Sequence, residues 1–124
     1  MAPLGTYTSW NPVASGPLKG NEGSLAAGYI AFAQTKAERL AAGDPRLSVE
    51  ERYGSQEGYN CVVRNAAARN VKARLLLPVD ADRLIAQAAA SNVLPSDPNN
   101  PVAKRLCAAR DRDDDDDRDR DDDD

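Results

Sequence analysis

The sequence predicts a mainly α fold with three to four short-to-medium helices, an extended N-terminal segment and a disordered acidic tail. Three observations predict it. Two capping boxes and a proline-led helix start punctuate residues 35–80. Apolar residues recur at helical spacing between those marks. Residues 111–124 hold eleven Asp and three Arg and nothing else.

Residues 1–28 carry five Gly and three Pro with little periodicity, and read as extended chain and turns. Tyr7 and Trp10 stand out there. They read either as an aromatic anchor that docks this segment on a larger surface or as exposed side chains. Tyr29 to Phe32 reads as a short strand or as the approach to a helix.

The segment 29–94 is the helical part. Thr35 with Glu38 three residues later forms the first capping box. Gly43 suits the left-handed C′ position and Pro45 blocks continuation, so a helix runs over about 36–42, with Ala37, Leu40 and Ala41 on one side. Ser48 with Glu51 forms the second box, and Glu50 adds a further negative charge at the positive end of the helix dipole. This helix ends near Gly54. Ser55 starts the longest helix, about 56–73, whose apolar positions Tyr59, Val62, Val63, Ala66, Ala67 and Val71 fall on one face. Lys72 and Arg74 lie at its carboxyl end, where the dipole favours cations.

Leu75 to Leu77 form an apolar connector that is expected to be buried. Pro78 suits the first turn of the next helix, about 78–91, which presents Leu84, Ile85 and Ala88 to the core. After Ser91 the text turns rich in Pro and Asn. Residues 95–110 are expected to be a loose linker, in which the run from Ala103 to Arg110 is too short to hold a helix alone. The segment 111–124 cannot bury apolar surface and is expected to be a disordered Asp/Arg tail.

Charge divides along the same boundary. Residues 1–110 carry 13 Lys/Arg and 9 Asp/Glu, a net of +4, and the tail carries a net of −8. The body is too mildly basic for a nucleic-acid footprint, so no nucleic-acid partner is expected. The tail reads as a solvating segment, as a ligand for a basic surface including this body, or as a loose calcium binder without the turn that a specific site needs. No apolar run reaches membrane-spanning length and no secretory leader pattern opens the chain, so no membrane partner and a cytoplasmic location are expected.

Composition excludes most hydrolytic chemistry. The chain has no His. A Ser–His–acid triad and a Cys–His pair both lack their proton acceptor. There is no GxSxG elbow, phosphate-cradling loop or dinucleotide fingerprint. A Ser–Lys dyad from Ser9, Ser15 or Ser24 with Lys19 survives only formally. Glu50 and Glu51 read as helix-start charges rather than an acid–base pair, and Tyr53 and Tyr59 as packing residues rather than proton donors. Cys61 reads as a small buried hydrophobe, and Cys107 falls in the loose stretch. A bridge between the two stays open. The expectation is therefore no catalytic, cofactor-binding or metal-binding residue, and no cofactor.

Four stretches carry a resemblance. "LGTYTSWN" at 4–11, "YIAFAQTKAERLAAGDPR" at 29–46, "SVEERYGSQEGY" at 48–59 and "LLLPVDADRLIAQA" at 75–88 resemble the C-terminal end of the bacterial alpha/beta hydrolase domain-containing, esterase-like protein family. The DPR–S–EERYGS run is the most specific. The sequence departs from the family where Pro is usual at Ala31 and Leu47, His at Gln56, an apolar residue at Asn60, and Arg soon after Asn11. The likeness stops near Leu94.

The resemblance implies a peripheral part of an α/β-hydrolase. The nucleophile elbow and oxyanion hole of such enzymes belong to the main sheet domain, and no catalytic residue transfers to a position here. The expected function is a C-terminal fragment acting as a structural cap on a missing catalytic sheet domain, inactive alone, with that domain as the partner covering the apolar helix faces. The alternative is a small helical protein-binding module with an acidic tail.

Overall fold

The computed structural model describes residues 2–8, 15–17, 19–20 and 28–115, with backbone alone for 110–115. Trp10, Ser9, Ser24 and the tail from 116 onward lie outside the described residues.

The N-terminal segment is an arm of a β-hairpin. Strand β1 (Gly5–Thr8) pairs antiparallel with β2 (Gly28–Ala31), Gly5 opposite Ala31 and Thr8 opposite Gly28. The ladder runs one step further, where the Phe32 N–H donates to the Leu4 carbonyl at 3.0 Å. Tyr7 and Tyr29 face each other across the ribbon with ring centroids 5.0 Å apart. The stretch 29–32 is thus a strand, and the β-branched and aromatic residues at 29 and 30 suit it.

Helix α1 (Lys36–Ala41) and helix α2 (Val49–Tyr53) both start on complete capping boxes. Thr35 accepts from the Glu38 N–H and Ser48 from the Glu51 N–H, each at 3.2 Å, while the two glutamates reach back to the cap amides. Gly43 sits at φ +63°, as its C′ position requires. The α1 side formed by Ala37, Leu40 and Ala41 buries nothing. Helix α2 instead sinks Val49 and Tyr53 into the core.

Helix α3 (Gln56–Lys72) packs against helix α4 (Pro78–Ala90). The turn between them is a Schellman motif without glycine. The Leu75 N–H donates to the Asn70 carbonyl and the Arg74 N–H to the Val71 carbonyl, both at 2.9 Å, and Arg74 takes φ +59°. The apolar connector that follows is not buried, contrary to expectation. Leu75 is 77 % exposed, Leu77 65 % and Val79 61 %. Geometry gives the reason. The core gathers Phe32, Val49, Tyr53, Tyr59, Ala88 and Leu94 at the start of α3 and the end of α4. At 1.5 Å per residue, Leu75 lies roughly 24 Å along the axis from Tyr59. For the same reason Leu84 is 45 % exposed while Ala88, one turn nearer the core, is buried.

The expected loose linker is the largest departure. Residues 92–100 fold back on the start of α3, and helix α5 (Pro101–Asp115) follows. Asn100 caps it, accepting from the Val102 N–H at 3.0 Å and the Ala103 N–H at 3.3 Å, and Pro101 occupies the first turn. The Asn100 side-chain amide also donates to the Gly54 carbonyl. Helix α5 packs on α2 and α3, and the helix includes residues 111–115, which were expected to be disordered. Cys107 is bonded to Cys61 across the α3–α5 contact. Cys61 is therefore half of a staple rather than a small buried hydrophobe.

Candidate functional site

The stretch 44–59 folds into a polar lattice that joins the hairpin to α1, α2 and the start of α3. Arg46 is its hub. Its guanidinium pairs with both oxygens of Asp44, with Nη2 at 2.6 Å from Oδ2 and Nε at 3.0 Å from Oδ1. It also donates to Thr6 Oγ1 on β1 and to the Ile30 and Ala31 carbonyls on β2. Arg39 of α1 grips Glu51 of α2 through two bonds of 2.7 and 3.1 Å. Arg52 lies over the Phe32 ring at 4.0 Å, with Arg46 at 5.2 Å from the same centroid. The Tyr53 hydroxyl donates to the Pro3 carbonyl at 2.7 Å, fixing the chain before β1.

The second knot lies where α3 begins. The Gln56 side-chain amide donates to the Ala88 carbonyl at 2.8 Å and to Asn60 Oδ1 at 2.9 Å, and its oxygen accepts from the Leu94 N–H. The Asn60 side-chain oxygen is thereby paired. Glu57 accepts from the Ser55 hydroxyl at 2.6 Å, the Asp97 N–H at 2.9 Å and the Ser96 hydroxyl.

These carboxylates are strong acids and poor bases. The Arg46 hydrogen bonds hold Asp44 at about 2. The Arg39 fork, helped by the Ser48 N–H, holds Glu51 at about 2. The Ser55 and Ser96 hydroxyls and the Asp97 N–H hold Glu57 at about 2. Ser48 and Ser55 are buried and each touches one of these carboxylates. A carboxylate held that low is a weak acceptor for a serine proton near neutral pH. Burial pushes Tyr53 up to about 12, and its proton is already committed to Pro3. Most of the lattice bonds named above join one segment of the chain to another or close a helix start. Glu50, the other member of the expected helix-start pair, accepts from the Lys36 N–H at 2.9 Å. Ser15 and Lys19 both lie exposed in the described turn. Among the described residues, no group of three or more Cys, Asp or Glu is gathered for a metal.

The concave surfaces flank the α3–α4 pair. One groove of about 370 Å³ runs from Tyr59, Val63 and Ala88 out to Leu76 and Leu84. A second, of about 520 Å³, lies on the other side between Arg64, Val71, Asp82 and Ile85. Both are apolar, and the first opens towards the exposed Leu75–Val79 turn.

Residues 1–86 match the family described as Alpha/beta hydrolase domain. The chain belongs to that family. The match takes in the hairpin, the polar lattice, α3 and most of α4, and ends before the 92–100 return and α5. No curated protein and no solved structure matches the chain.

Sequence reading found both capping boxes but missed Arg46, Gln56 and Asn100. Asn100 had a signal, since Asn followed by Pro is an N-cap followed by a first-turn residue. Arg46 and Gln56 had none for the bonds that tie segments together, because those partners lie 15 to 40 residues away in sequence.

Proposed function

We propose that this chain is a helical cap of an α/β-hydrolase, covering a catalytic sheet domain and taking no chemical part itself. The observation that carries the reading is the apolar surface at the α3–α4 turn, lying inside the family-matched region and left open. Leu75, Leu77 and Val79 expose most of their area there, and a patch of that kind on a soluble domain marks a contact surface. The consumption of every lattice carboxylate by arginines, hydroxyls and amides supports a positioning role over a catalytic one.

The test uses a sheet domain of this family from which the corresponding segment has been removed. Its melting temperature rises when the chain is added, while the chain alone gives no ester turnover above buffer. An unchanged melting temperature, or turnover by the chain that survives repurification, contradicts the reading.

A self-standing helical binding module is the second reading. The Cys61–Cys107 bond favours it, because it gives the chain a covalent stabiliser independent of any partner. The bond also supports an oxidising compartment over the cytoplasmic location expected from sequence, since cytosolic thiols are kept reduced. No helix among the described residues is long and apolar enough to cross a membrane.

A further inference from the structure

Helix α5 lies on α2 and α3 through a stripe of small and half-buried side chains. Its apolar stripe consists of Val102, Ala103, Leu106 and Cys107, of which Ala103 alone is fully buried. Ala103 lies on Gly58, where a Cβ would stand 3.0 Å from the Ala103 Cα, so the two backbones approach closely over a small area. Further ties are Leu106 against the edge of the core cluster, the Asn100 cap on the Gly54 carbonyl and the disulfide. Beyond Cys107 the sequence is AARDRDDD, with aspartates at the helix end where the dipole favours cations. A 15-residue helix of this composition is marginal in water without a tether.

We propose that the Cys61–Cys107 bond is a redox latch that docks α5 on α3, and that its reduction releases α5 while the hairpin and α1–α4 stay folded. A dithiol reductant supplies two electrons and two protons. The sulfur–sulfur bond breaks, Cys61 and Cys107 become thiols, and the dithiol becomes a cyclic disulfide. Release uncovers the α3 face around Gly58 and Cys61, next to the Tyr53–Tyr59 pair. Exchange with a small-molecule disulfide, which takes up the two electrons and two protons and leaves as two thiols, re-forms the Cys61–Cys107 bond and covers that face again with α5.

Two observations separate release from general loosening. The core cluster is built from residues of β2's exit, α2, α3, α4 and the 92–94 turn, with only Leu106 of α5 packed against it. The Glu57 and Gln56 bonds hold residues 94–97 without the disulfide. The boundary of release therefore falls near Asn100.

Hydrogen exchange on the full chain, oxidised and after treatment with a dithiol, tests the latch, with C61S and C107S as reagent-free controls. The expected result is at least a tenfold faster exchange over 101–110 on reduction and in both variants, with 78–90 changed less than twofold. Unchanged protection over 101–110 overturns the proposal, and so does loss of protection over 78–90, which means that the whole body unfolds. Two free thiols in the untreated protein, counted under denaturing conditions, also overturn it.

Discussion

The two ends of the α3–α4 pair are built differently. At the near end, where α3 begins and α4 finishes, aromatic rings, ion pairs and capped helix starts close on one another. Phe32, Val49, Tyr53 and Tyr59 are buried, and the polar groups around them are paired. At the far end, Leu75, Leu77 and Val79 stand in solvent around a tight turn. The family match covers the far end and, at the near end, Phe32, Val49, Tyr53 and Tyr59 but not Ala88 or Leu94. The near end thus needs only this chain, whereas the far end presents apolar area that nothing in the described residues covers. Buried packing and exposed apolar area are separated along one helix pair.

Substitutions break that comparison in a definite order. Val49→Ala removes a side chain that is 1 % exposed, and is expected to cost about 2–3 kcal/mol in urea unfolding through lost burial and the cavity left behind. Acid comes next. Asp44, Glu51 and Glu57 are held at about 2, below their ordinary values of 3.8 and 4.5. The unfolded chain binds more protons on these groups between those limits. Their contribution is therefore complete above about pH 4.5 and is lost as pH falls towards 2. A melting temperature followed over that range is expected to fall, and Glu51→Gln to flatten the fall.

Tyr53→Phe keeps the ring and deletes the bond to Pro3, for an expected loss of about 1 kcal/mol. Arg74→Gly at the far-end turn is expected to stabilise by roughly 0.5 kcal/mol, the left-handed cost relieved less the entropy that glycine loses on folding. Leu77→Ser is expected to change the isolated chain by less than about 0.5 kcal/mol. Equal losses for Val49→Ala and Leu77→Ser would erase the distinction between the two ends.

Local chemistry was legible in the sequence, and long-range pairing was not. Thr35–Glu38 and Ser48–Glu51 declare their helices within four residues, and both boxes are present. The α3 and α4 bounds follow from spacing and from Pro78. The Leu75–Leu77 connector was misread because hydrophobicity predicts burial without saying which chain provides the cover. The 101–115 helix was missed because its stability comes from Gly54, Gly58 and Cys61, more than 40 residues earlier. The exclusion of His-dependent triads was legible from composition, since the chain has no His. The low pKa values of Glu51 and Glu57 needed the arginine, hydroxyl and amide partners that only the fold brings to them.

The most direct measurement is a calorimetric titration of a segment-deleted α/β-hydrolase sheet domain with this chain and with its Leu75→Ser/Leu77→Ser variant, whose fold the far end does not support. The account predicts saturable binding with a negative heat-capacity change for the native chain, and at least a tenfold weaker affinity for the variant. Absence of binding, or equal affinity for the two, contradicts it.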